Sequence, residues 1–229
     1  MLRALLRRLS TILIMAGVML LVDVGLTLVW EEPVSALYEQ WRQDALADDL
    51  DELREPDLRP AEQAALDRLP LDSDRAAFLA RALKRRTGTG EAIGRIRIPE
   101  IGVSKVVVEG TDGGSLRRGP GHYPETPLPG IHGTVAIAGH RTTYGAPFND
   151  VDKLDDGDEI SVEMPYGRFV YQVEDSQIVA PSATYVTRRV DHDRLVLTAC
   201  HPKYSAAERI VIFARLDHTE QLAWTGVRT

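Results

Sequence analysis

Ile93-Gly94-Arg95-Ile96-Arg97-Ile98 alternates apolar and polar residues, the period of a half-buried strand. Before this stretch the chain reads as helix. After it the texture is that of short strands parted by turns. Residues 103–109, 134–138, 159–163, 168–174, 176–179, 195–200 and 209–216 all read as strands. Residues 113–130 are rich in Gly and Pro and read as loop with one helical turn. Residues 147–154 read as a short helix, closed by the turn Asp155-Asp156-Gly157-Asp158. That acid cluster lacks the loop spacing of a calcium motif and reads as a solvated turn. The pattern predicts a mainly β fold over residues 91–217, a closed eight-stranded barrel with short helices.

Working outward, residues 9–30 are nearly all apolar, with Asp23 the one charge, and are long enough to cross about 30 Å of hydrocarbon as a helix. Arg3, Arg7 and Arg8 precede the run, and Glu31, Glu32 and Pro33 follow it. The charge asymmetry predicts a single-pass chain: residues 1–30 form a cytoplasmic tip and transmembrane anchor, and the rest lies outside the cell membrane. The run is long for a signal peptide, and no small-x-small site closes it. Residues 31–90 read as a polar helical stalk. Ala36-Leu37, Trp41, Ala45-Leu46 and Leu50 recur at helical spacing among many acids, Pro56 and Pro60 break the pattern, and Asp72-Ser73 reads as the cap of a helix ending in Lys84-Arg85-Arg86. Residues 218–229 are a tail.

A net charge of -7 argues against nucleic acid as a partner. Cys200 is the only cysteine. In an exported chain a lone cysteine is either a small buried hydrophobe or a working thiol. It ends the apolar run Leu195-Val196-Leu197-Thr198-Ala199-Cys200, His140 closes Val135-Ala136-Ile137-Ala138-Gly139-His140, and Arg209 opens Ile210-Val211-Ile212-Phe213-Ala214. Thiol, imidazole and guanidinium thus each stand at the rim of a strand. That placement suits a nucleophile, a proton carrier and an oxyanion partner meeting in one cleft. His132 is the alternative imidazole and Arg141 the alternative guanidinium. His201 adjoins Cys200, but neighbours on a strand point to opposite faces. One cysteine and scattered histidines give no tetrahedral metal spacing, so no metal is expected.

These residues resemble a sortase, the family of membrane-anchored cysteine transpeptidases of Gram-positive bacteria. Val196-Leu197-Thr198-Ala199-Cys200 is similar to the family's TLxTC motif, Arg209 to the Arg opening its next strand, and His140 to the His after an earlier strand. Gly139-His140-Arg141-Thr142-Thr143-Tyr144-Gly145-Ala146-Pro147-Phe148 and Cys200-His201-Pro202-Lys203-Tyr204-Ser205-Ala206 resemble the class E branch, typical of actinobacteria. The resemblance spans about residues 91–216 and the N-terminal anchor. It implies cleavage of a sorting signal of the LAxTG or LPxTG type between Thr and Gly, through a thioester on Cys200. The acyl group would pass to a cell-wall amine, a peptidoglycan precursor, with no cofactor. It makes His140, Cys200 and Arg209 catalytic and sets Tyr144, Thr198 and Ala199 beside the substrate. Two departures stand out, Val196 and Ala199 where the family commonly has Thr. Leu222-Ala223-Trp224-Thr225-Gly226 is itself an LAxTG string. With only Val227-Arg228-Thr229 after it, it is not expected to act as an anchoring signal, but it could occupy the cleft in cis or from a neighbouring copy. Two alternatives stay open: an envelope cysteine peptidase that hydrolyses, and a non-catalytic extracytoplasmic binding barrel.

Overall fold

The computed structural model describes residues 2–29, 33–53 and 58–220, with side chains within 7–22, 39–53 and 58–220. The helices are α1 (Leu2–Val29), α2 (Pro33–Glu52), α3 (Pro60–Leu66) and α4 (Asp72–Arg86). Strands β1 (Ala92–Ile98) and β2 (Val103–Glu109) follow, then the one-turn α5 (Gly113–Leu116). The chain continues through β3 (Gly121–His122), β4 (Thr134–Ala138), β5 (Glu159–Met164), β6 (Gly167–Val179), β7 (Arg194–His201) and β8 (Glu208–Glu220). The eight strands close into a barrel in the order β1-β2-β3-β4-β7-β8-β6-β5. Neighbours are antiparallel except β2–β3 and β4–β7, which are parallel.

Alternation fills the barrel. Val135 and Ile137 of β4, Leu195, Leu197 and Ala199 of β7, and Ile210, Ile212 and Ala214 of β8 join one apolar interior with residues of β1, β2, β5 and β6. Ile93 and Ile96 both reach that interior although they are an odd number of residues apart. A register shift between Ala92 and Gly94 resets the phase. Glycine is needed at this shift, because a Cβ on Gly94 would meet the Glu163 carbonyl oxygen at 2.6 Å and the Met164 sulfur at 2.7 Å. Ala80 and Leu83 of α4 extend the same core.

Four expectations change on contact with the structure. The chain divides into two compact units, residues 1–40 and 41–229. Most of the expected stalk therefore belongs to the barrel's unit. Leu46 and Leu50 of α2 pack with Ala92, Val106 and Val108 on the outside of β1 and β2. Burying two leucines is worth about 1.5–3 kcal/mol each, enough to hold a short helix to a sheet. The side-chain amide of Gln43 also clasps Val106, its oxygen accepting from the Val106 N–H at 2.6 Å and its nitrogen donating to the Val106 carbonyl at 3.4 Å. Secondly, β3 rises from the Gly/Pro-rich stretch read as loop. Thirdly, residues 167–179 form one strand of 13 residues rather than two, its alternation broken by a shift between Val173 and Asp175. Fourthly, a single 3-10 turn at Val151–Lys153 stands where a helix over 147–154 was expected.

At the N-terminus, α1 is helical and Leu9, Ile12, Leu13, Met15, Met19 and Leu21 along it are exposed. Among the described residues, no helix is long and apolar enough to cross a membrane. The expected span over residues 9–30 runs into side chains outside the described residues. The LAxTG-like tail, residues 222–226, also lies outside them.

Candidate active site

The alternation that fills the barrel also decides what faces outward. Ala136 of β4, Val196 of β7 and Val211 and Phe213 of β8 form a second apolar cluster on the outer face of these three adjoining strands. Cys200 keeps step with Val196 and Thr198, and Arg209 with Val211 and Phe213. Cys200 and Arg209 are moreover direct partners across the β7–β8 ladder. Ala138 pairs with Thr198 in the parallel β4–β7 register, and the Gly139 N–H continues that ladder to the Thr198 carbonyl at 3.0 Å. His140, the next residue, therefore emerges beside the end of β7, on the face that carries Ala136. Thiol, imidazole and guanidinium leave the same end of three neighbouring strands on one side of the sheet.

A wall borders this face. Ala183 and Val186, from the connection between β6 and β7, pack onto the outer cluster with Tyr123. The connection is pinned to the strands by Thr134 Oγ1 donating to the Arg188 carbonyl at 2.8 Å, and by Arg194 Nη2 donating to the Val186 and Arg188 carbonyls at 3.0 Å. Beneath it, the Tyr123 hydroxyl bonds Thr198 Oγ1 at 3.0 Å. Tyr123 has no signature in the sequence that would have flagged it.

Each side chain then has its own environment. Cys200 is a free, partly exposed thiol rather than one sealed in the interior. His140 is half-buried; its backbone is held by Phe148 N–H donating to its carbonyl at 3.0 Å. A Cβ on Gly139 would come within 2.4 Å of the Phe148 ring, so glycine is required just before the imidazole. The Tyr144 ring lies 5.0 Å from the His140 ring, tilted by 48°. Arg117 stands over the other side of the cluster, 5.8 Å from the centre of the Tyr144 ring. Burial, first, and the positive charge of Arg117, second, hold His140 below its ordinary range. Arg209 Nη1 donates to the Ala206 and Glu208 carbonyls at 3.0 and 2.9 Å, which orients the guanidinium and leaves it further N–H groups to offer. Arg117 also escaped the sequence reading, since one of two adjacent arginines in a Gly-rich stretch carries no local signal.

The rival residues are placed elsewhere. His132 precedes β4 and bonds Asp193 at 2.7 Å, at the end of the β4–β7 pair opposite Cys200 and about 20 Å away along the strand. Arg141 is 3% exposed and its guanidinium is engaged by His201 Nδ1 at 2.9 Å, Asp152 at 2.6 Å and the Asn149 carbonyl at 3.2 Å. Of the three residues expected beside a substrate, Tyr144 and Thr198 lie on the outer face. Ala199 does not: its side chain packs into the barrel interior at 3% exposure, which leaves only its backbone to meet a ligand.

The sortase domain family model matches residues 96–217, more than half of the chain. The chain belongs to the sortase family. Sortase D of Bacillus subtilis is 34% identical over 131 residues, covering 56% of this chain and 65% of the relative. Sortase SrtE1 of Streptomyces coelicolor is 30% identical over 143 residues, covering 56% of this chain and 41% of the relative. This sortase therefore spans less than two thirds of the length of those relatives. Among solved structures, sortase E of Streptomyces avermitilis superposes with a TM-score of 0.56 at 31% identity, covering 62% of this chain and 97% of that one. Sortase E1 of Streptomyces coelicolor, whose structure holds a tripeptide in the active site, superposes with a TM-score of 0.55 at 26% identity, covering 58% of this chain and 91% of that one.

Proposed function

We propose that this sortase is a cysteine transpeptidase that cleaves a sorting signal of the LAxTG or LPxTG type between Thr and Gly and passes the acyl part to a cell-wall amine. The observation that carries the reading is the shared outer face of Cys200, His140 and Arg209, with the first and last in direct cross-strand register. The chemistry follows from the three groups. The Cys200 thiolate attacks the Thr carbonyl carbon. Arg209, with a backbone N–H, holds the oxygen as it becomes an oxyanion. His140 as imidazolium gives its proton to the departing glycine nitrogen, the C–N bond breaks and a thioester on Cys200 remains. An incoming amine attacks that thioester, neutral His140 accepts its proton, and the thiolate is regenerated. The thioester conserves the free energy of the cleaved peptide bond, so no cofactor is required.

The substrate preference rests on likeness to class E relatives and on Tyr144, whose exposed ring packs on His140. The tripeptide held by the Streptomyces coelicolor sortase E1 supports a peptide as ligand of this groove. The exposed apolar residues along α1 support a membrane anchor, with the barrel on the outer side of the membrane and a peptidoglycan precursor as acceptor. The test is product analysis with a Leu-Ala-Xaa-Thr-Gly peptide, with and without a glycyl amine acceptor. Transfer product with acceptor supports the transpeptidase. Hydrolysis alone at every acceptor concentration replaces it by an envelope peptidase, and no turnover at all by a binding barrel.

A further inference from the structure

Behind the two reacting groups stand their immediate chain neighbours. His140 and Cys200 face the groove, so Arg141 and His201 turn away from it. They meet there: Arg141 Nη1 lies 2.9 Å from His201 Nδ1. We propose that Arg141 and His201 are a positioning pair, a clamp that fixes the separation of the His140 imidazole and the Cys200 sulfur. The proposal rests on the catalytic reading of Cys200 and His140 given above.

A guanidinium has donors only. In this contact Arg141 Nη1 therefore donates and His201 Nδ1 accepts. The Arg141 end has two further partners. It is nearly fully buried, anchored to Asp152 at 2.6 Å and to the Asn149 carbonyl at 3.2 Å. A second tie joins the same two connections, since Lys203 reaches the side chains of Asn149 and, at 3.1 Å, Asp150. The segment after β4 and the segment after Cys200 are thus stapled from behind by two cations. Both segments leave their strands at the place where the reacting groups must align, and a displacement of 1 Å there costs up to about a hundredfold in rate.

The test uses the full chain in detergent, a fluorogenic Leu-Ala-Xaa-Thr-Gly peptide and alkylation of Cys200 by iodoacetamide. His201→Asn keeps an acceptor oxygen close to the position of Nδ1; His201→Phe keeps the volume and removes the acceptor. The clamp predicts that H201F loses about 10- to 100-fold in kcat with KM within about twofold, and alkylates more slowly. It predicts that H201N stays within about threefold of wild type in both kcat and alkylation rate. Wild-type kcat in H201F, or an H201N as impaired as H201F, would each overturn the clamp. If H201F fails to fold, His201→Ala, which also removes the acceptor, is read in its place by the same kcat and alkylation measurements. Turnover by Cys200→Ala would sink the catalytic reading instead, and the alkylation rates of the His201 variants would still report on the clamp.

Discussion

Cys200 on β7 and Arg209 on β8 are direct partners in an antiparallel ladder, so their side chains leave the same face of the sheet at neighbouring positions. The ladder itself thereby roots thiol and guanidinium side by side, and the Ala206 and Glu208 carbonyls aim the guanidinium. His140 joins them through the parallel register of β4 with β7.

Arg209→Lys keeps the charge and removes the planar fork. Its expected effect is a fall in kcat of about 100- to 1,000-fold with little change in KM, because in the proposed reaction the oxyanion exists only on the way to and from the thioester. Steady-state kinetics with the sorting peptide checks this. A change confined to KM would mean that Arg209 binds the substrate and does not act on the transition state.

Burial and then Arg117 lower the pKa of His140. Arg117→Gln removes the like charge, so the limb of the pH–rate profile governed by His140 should move to higher pH. The stability consequence has a definite sign. The folded protein takes up this proton less readily than the unfolded chain, whose imidazole titrates near about 6.5. The contribution of His140 is therefore intact above that pH and is lost as pH falls through the lower, folded value. Denaturant titrations at a series of pH values should show the acid loss shrinking in the Arg117→Gln protein.

Gly139→Ala would place a methyl group within 2.4 Å of the buried Phe148 ring, whose backbone N–H holds the His140 carbonyl. Overpacking of this kind costs about 1–3 kcal/mol. Because the strain falls on the peptide beside the imidazole, kcat should drop together with Tm. A variant with a lowered Tm and wild-type kcat would separate the packing from the chemistry.

Leu46→Ala tests whether residues beyond 40 belong to the barrel's unit. Leu46 is buried against Ala92, Val106 and Val108. The loss should be about 2–5 kcal/mol, read as a shift in the denaturant midpoint of barrel unfolding. An unchanged midpoint would restore the picture of a detached stalk.

How much of this was legible in the sequence depends on which physical signal each part carries. Strand β1 stands out because one buried face imposes a period of two, and β4, β7 and β8 because both faces of their central residues are covered, which makes each a short continuous apolar run. The candidate site was read from the same runs, because Cys200, His140 and Arg209 punctuate their ends. Gly121–His122 is too short to show any period, so β3 hid inside a Gly-rich loop. The docking of α2 and α4 hid behind charge. Leu46 and Leu50, and Ala80 and Leu83, make narrow apolar stripes on helices otherwise crowded with acids and bases. Ala199 was taken for a substrate neighbour from its place in a motif, whereas strand alternation turns it inward. The Arg141–His201 contact needs the parallel pairing of β4 with β7, which no local pattern reveals.

The most direct measurement is mass spectrometry of the full chain after brief incubation with a Leu-Ala-Xaa-Thr-Gly peptide. The acyl part up to Thr should appear as an adduct on Cys200, be discharged by hydroxylamine or a glycyl amine, and be absent from Cys200→Ala. An adduct on another residue, or product released by Cys200→Ala, would contradict the thiol as nucleophile.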